Sequence, residues 1–129
     1  VNLLNEKNNG ESVLKLIQDN LVLSSHDISS GGLIIALSEM AISSNYGVKV
    51  QKPKKLSNLF QYFFGEDQGR YILEIDPKSL LKVEKTLKDN NIYYENIGNT
   101  QKDYFEIDGE LKISVKDLFN INNEWYNKY

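Results

Sequence analysis

The sequence predicts an α+β fold, a mixed, mostly antiparallel sheet with helices packed on it, and three observations carry that prediction. Short apolar runs of strand length alternate along the chain with segments whose apolar residues recur at helical spacing. Residues 104–107 and 111–115 flank Asp108-Gly109, a favoured turn pair, and read as a β-hairpin. Leu21-Val22-Leu23 leads through a Ser/Gly loop into residues 33–42, which are rich in Ala and Leu: strand, loop, helix.

Taken in order, residues 1–10 are Asn-rich and polar apart from Leu3 and Leu4, and read as an arm or linker. Residues 12–20 form a short helix with Val13, Leu16 and Ile17 on one side, and residues 21–25 the first strand. The helix over 33–42 is apolar on nearly all sides, which predicts heavy burial. Residues 46–50 are a short strand, and the Lys-rich stretch to Lys55, with Pro53, a surface loop. Leu56, Leu59, Phe60 and Phe63 predict a helix over 57–64, stopped by Gly65. Residues 71–75 are a strand. Asp76-Pro77 then starts a helix, Asp as N-cap and Pro at the first position, with Leu80, Val83 and Leu87 inward. Residues 92–97 read as a strand ended by Gly98. After the hairpin, Ser114 and Asp117 are spaced as a capping box for a last helix carrying Leu118, Ile121 and Trp125.

Composition narrows the function classes. The 129 residues make one domain, large enough to bury roughly two-thirds of its unfolded surface. A hydrophobic content of 40%, with eight Tyr and five Phe, argues for a real core and against disorder. A net charge of -3 gives no attraction to nucleic acid or to an anionic membrane. The absence of cysteine removes disulfides and thiolate metal sites and suits a reducing, cytoplasmic setting. No apolar run approaches the ~20 residues a membrane span needs. The chain opens with Val1, as a piece of a longer protein would, whether natural or cut. Arg70 is a lone arginine against fourteen lysines. An arginine kept in such a background suits a planar, two-pronged contact that Lys cannot make.

Two polar clusters stand between predicted strands and helices: His26-Asp27-Ile28-Ser29-Ser30-Gly31-Gly32-Leu33, and Gly65-Glu66-Asp67-Gln68-Gly69-Arg70-Tyr71 after residues 59–64. In this order they resemble the paired motifs of the C-terminal domain of the aminoimidazole ribonucleotide synthetase superfamily. Residues 33–41 resemble the helix that follows the first motif there, and Asn96-Ile97-Gly98 the strand end before the last hairpin. Within that superfamily the chain is most similar to the phosphoribosylformylglycinamidine synthase family of purine biosynthesis, over roughly residues 10 to 126. The resemblance implies a C-terminal domain of a larger ATP-dependent ligase. It also implies ATP and Mg bound mainly in a preceding ATP-binding domain, ammonia from a glutaminase subunit, and no cofactor or activity in this chain alone. Two departures matter: Ser30 stands where the family is commonly acidic, and Asp67 replaces a serine, adding negative charge beside a supposed phosphate site.

The resemblance makes Ser29, Gly31, Gly32 and Arg70 candidates for binding a nucleotide or phosphate. A loop entering a helix N-terminus presents unpaired N–H groups to an anion, and glycine lets it approach. A plain strand-to-helix connection with a Ser N-cap is the competing reading. His26, Asp27, Glu66 and Gln68 are candidates for the domain interface, with Arg70 paired to Glu66 or Asp27. No catalytic or metal-binding residue is assigned. Adjacent residues on a strand point to opposite faces, so His26 and Asp27 do not form a relay, and one histidine without cysteine makes no zinc site. Against the ligase stand a free-standing interaction or ligand-binding module, and another reaction of the superfamily, which the second cluster disfavours.

Overall fold

The opening of the chain is helical where the sequence suggested an arm. In the computed structural model, which describes residues 2–53 and 58–128, helix α1 runs Leu3–Gln18. Asn2 starts it, its side-chain oxygen accepting the Asn5 N–H at 3.1 Å. Its buried residues are Ser12 and Leu16, so apolar periodicity exists only in its second half.

The first strand, β1, spans Ser24–Asp27 and not the apolar run before it. Leu21 instead turns its N–H back to the Leu16 carbonyl at 3.0 Å and fills a core. Pairing begins where the Leu23 N–H reaches the Glu74 carbonyl at 2.8 Å. Helix α2 (Gly32–Ser44) buries Leu33, Ala36, Leu37 and Ala41 but leaves Ile35 and Glu39 exposed, so one stripe faces out. Strand β2 is Gly47–Val50. Helix α3 (Leu59–Phe64) is capped by Asn58, whose side chain accepts the Gln61 N–H at 3.2 Å. Leu56 and Ser57, expected to begin it, and Lys54 and Lys55 lie outside the described residues.

Strand β3 is Tyr71–Glu74 and helix α4 is Leu80–Asp89. The Asp76-Pro77 start is displaced: Asp76 caps a separate turn, accepting the Lys78 N–H on its side chain and the Ser79 N–H on its carbonyl, both at 2.8 Å. Residues 92–97 are irregular, not a strand. Ile92 and Tyr94 alternate because they pack on a core, while Ile97 alone reaches the sheet, its carbonyl accepting from Gln51 at 2.9 Å. Strand β4 (Gly98–Gln101) begins where a strand was expected to end.

Strands β5 (Tyr104–Ile107) and β6 (Leu111–Ser114) form the predicted hairpin. Its turn differs from the two-residue kind. The Glu110 N–H closes on the Ile107 carbonyl at 2.9 Å, and only Gly109, at φ 74°, has a positive φ, as a type II turn requires. Ser114 caps helix α5 (Val115–Asn127) as the sequence implies, accepting the Asp117 N–H at 3.0 Å and donating its hydroxyl back to that carboxylate. Of the expected inner face only Leu118 packs on the core; Ile121 and Trp125 are 61% and 62% exposed.

Among the described residues there are two sheets: antiparallel β1–β3, and a four-stranded sheet in the order β4-β2-β5-β6, antiparallel except where β2 runs parallel to β5. The mixed α/β class is as predicted. Two cores result. Helices α2 and α3 bury Leu37 and Phe63 with Val50, Phe105 and Ile107 of the larger sheet. Leu16 of α1 and Val83 and Leu87 of α4 enclose the second. Strand β3 joins them, with Ile72 in the first core and Leu73 against the second, as its two-residue period dictates.

Helices α1, α2 and α4 each give way to an asparagine in the left-handed conformation, Asn20, Asn45 and Asn91. Replacing the exposed Asn45 by Val is therefore expected to lower stability to urea by about 1–2 kcal/mol, and by Gly to leave it nearly unchanged.

Candidate functional site

An antiparallel pair puts the end of one strand beside the start of the other, and this brings the two polar clusters together. The first cluster leaves β1 where the second enters β3: Asp27 lies opposite Tyr71, and the Ile28 N–H extends the ladder to the Arg70 carbonyl at 2.9 Å. Between them opens a cleft of roughly 360 Å³, lined by Asp27, Ser29, Ser30, Glu66, Gln68 and Arg70 among others.

The glycine turn does not present a bare anion cradle. Gly31 is the N-cap of α2, at φ 79°, with no side-chain cap hydrogen bond, so the Ser N-cap of the competing reading is absent. The Gly31 N–H donates to Glu66 Oε1 at 2.7 Å, and the Gly32 N–H closes on the Ser29 carbonyl at 3.1 Å. Both glycine donors are thus engaged within the chain. Gly32 also lies so close to α3 that a Cβ there would sit 2.8 Å from the Phe63 carbonyl oxygen.

Arg70 pairs with neither Glu66 nor Asp27. Its Nη2 donates to the Gly65 carbonyl and lies 3.6 Å from the Asp67 carboxylate. The substitution that adds charge to the second motif is thus what the guanidinium meets. His26 sits in β1, not in the loop. Its Nδ1 is 2.6 Å from the Asp27 carbonyl oxygen and its Nε2 3.3 Å from Glu39 on α2. Among the described residues no serine is bonded to it, so no nucleophilic triad is assembled.

Helix α1 contributes what the sequence did not reveal. Glu6 lines the cleft, and Asn9 donates to the Gly69 carbonyl at 2.9 Å. A helix read as an arm offers no signal for such a contact. The Tyr62 and Tyr93 hydroxyls donate to Glu95, holding residues 92–97 to α3. Burial first, then the Glu95 carboxylate, holds the Tyr62 hydroxyl above the usual phenol range.

The cleft is acidic on balance: Glu6, Asp27 and Glu66 face it, against one guanidinium already beside Asp67. A phosphate entering at Gly31 would have to displace a carboxylate. Among the described residues no group of three or more His, Cys, Asp or Glu is placed to hold a metal ion, and no helix is long and apolar enough to cross a membrane.

Comparison with known proteins agrees with the paired clusters. The family described as AIR synthase related protein, C-terminal domain, matches residues 1–108. Phosphoribosylformylglycinamidine synthase subunit PurL of Pelagibacter ubique (strain HTCC1062) is 43% identical over 129 residues, which are 100% of this chain and 18% of that protein. The chain therefore spans less than a fifth of that relative's length. Two solved structures share the fold at 18% identity and a TM-score of 0.76, each covering 88% of this chain and 21% of theirs. They are the structure of PurLQS from Thermotoga maritima and T. maritima PurL complexed with AMPPCP.

Proposed function

Because the chain belongs to the family of AIR synthase related proteins, C-terminal domain, we propose that it acts as the C-terminal domain of a cytoplasmic phosphoribosylformylglycinamidine synthase. That enzyme is the ATP-dependent ligase converting formylglycinamide ribonucleotide to its amidine in purine biosynthesis. The 43% identity to a PurL subunit supports the assignment. The observation that carries it is the meeting of both motif clusters at one cleft, with Gly31 and Glu66 in hydrogen-bond contact.

In this reading the cleft, lined by Asp27, Glu66 and Gln68, packs on a preceding ATP-binding domain, and His26, which meets Glu39 and not the cleft, is proposed for the same interface. ATP and Mg are held mainly there. Ser29 and Arg70 line the cleft and are the residues of this chain expected near a nucleotide phosphate. Gly31 and Gly32 use their N–H groups within the chain and shape the turn. A glutaminase subunit supplies the ammonia.

The test is growth. The complete gene, placed in a purine auxotroph lacking this synthetase, is expected to restore growth without added purine and to fail once residues 1–129 are deleted. Failure of the intact gene would sink the assignment. Calorimetry of residues 1–129 alone with ATP or ADP is expected to detect no tight site. Micromolar binding would favour the free-standing ligand-binding module instead.

A further inference from the structure

Helix α2 starts without a cap of its own. Its N-cap residue, Gly31, has no side chain, and its first turn holds no acidic residue. The leading N–H groups of a helix need acceptors, which a Ser, Thr, Asp or Asn at this position normally provides. Here one acceptor comes from another part of the fold: Glu66 Oε1 takes the N–H of the N-cap residue Gly31 itself at 2.7 Å, the donor that an N3 Glu takes in a capping box. A carboxylate suits the task, because its charge strengthens the bond and opposes the helix dipole.

The loop carrying Glu66 is itself fixed on both sides. Before it, the Gly65 N–H stays on the Gln61 carbonyl at 3.0 Å while the Gly65 carbonyl accepts from Arg70. After it, the Gly69 carbonyl accepts from Asn9 of α1. An anchored loop can therefore impose its position on the glycine turn.

We infer that Glu66 is a positioning residue: it is the acceptor that the 65–70 loop supplies to cap the start of α2, and it fixes the glycine turn that follows the cleft-lining Ser29 and Ser30. The cap itself follows from the geometry; only its consequence, a rigid face for the partner domain, rests on the purine reading. Arg70 acts through it, as the brace of the loop that delivers the carboxylate.

Hydrogen exchange with mass spectrometry tests this in the chain as its gene encodes it, comparing wild type with Glu66→Ala, Glu66→Gln and Glu66→Asp. Glu66→Ala is expected to speed exchange of a peptide over residues 29–34 about tenfold or more, since it removes a hydrogen bond to a charged group. A peptide over β5 should be unchanged. Glu66→Gln keeps an acceptor oxygen and should recover most of the protection, whereas Glu66→Asp, one methylene shorter, should not. Unchanged exchange over 29–34 in Glu66→Ala would overturn the proposal. So would equal acceleration in β5, which would mean general loosening, or a Gln variant as fast as the Ala variant. Growth of the auxotroph does not enter this readout, so the cap and the purine assignment can fail separately.

Discussion

Gly32→Ala is expected to destabilise the chain by about 2–5 kcal/mol, the sum of a left-handed conformation imposed on alanine and of overpacking. Gly32 has φ 71°, and its Cβ would lie 2.7 Å from the Phe64 carbonyl carbon and 2.8 Å from both the Phe63 oxygen and the Phe64 Cα. All three are backbone atoms of α3, which no change of rotamer can move. Phe63 is 4% exposed in the main core, so α3 cannot withdraw without opening that core. Gly31→Ala makes the sharper comparison. Gly31 has a similar φ of 79°, but its Cβ would meet the side chain of Ile35, which is 41% exposed and can partly turn aside. A smaller loss, about 1–2 kcal/mol, is expected there. Urea unfolding of the two variants measures the difference. The reverse order would mean that close packing of the glycine turn on α3 is not what the second glycine provides.

What the sequence revealed, and what it hid, follows from the range of the interactions. The Ser114 cap, the existence of helix α2 and the hairpin strands are written within a few residues of one another, and each was legible, though not the exposed stripe of α2. The two motif clusters were legible as a pair, and an antiparallel ladder was enough to join them. The first half of α1 was not, because its contact is made by Asn9 to Gly69, sixty residues away, and leaves no apolar stripe. The alternation at residues 92–97 imitated a strand because packing on a core and pairing in a sheet both favour it. The partner of Arg70 was misread for a related reason. Glu66 or Asp27 was the expected partner, but the Gly31 N–H had claimed Glu66, leaving the guanidinium to Gly65 and Asp67. The candidate site was thus readable as a set of residues, and unreadable as a set of bonds.

Phe105→Ala should cost about 3–5 kcal/mol, a large share of the ~5–15 kcal/mol that holds a domain of this size together. Phe105 is 1% exposed in β5, between β2 and β6, and fills the core under α2. Leu16→Ala, from the fully buried centre of the second core, should cost about 2–5 kcal/mol. The two sites share no cluster, yet β3 carries Ile72 into one core and Leu73 against the other, and its ladder with β1 spans the cleft end. If β3 transmits the loss, both variants should unfold in one transition seen identically by Trp125 fluorescence and by far-UV circular dichroism. Two transitions in Leu16→Ala, with the α1 and α4 half melting first, would mean that the cores are separate units. The carboxylate that Glu6 lends to the cleft, and the Asn9 bond to Gly69 beside it, could then come and go without the main sheet unfolding.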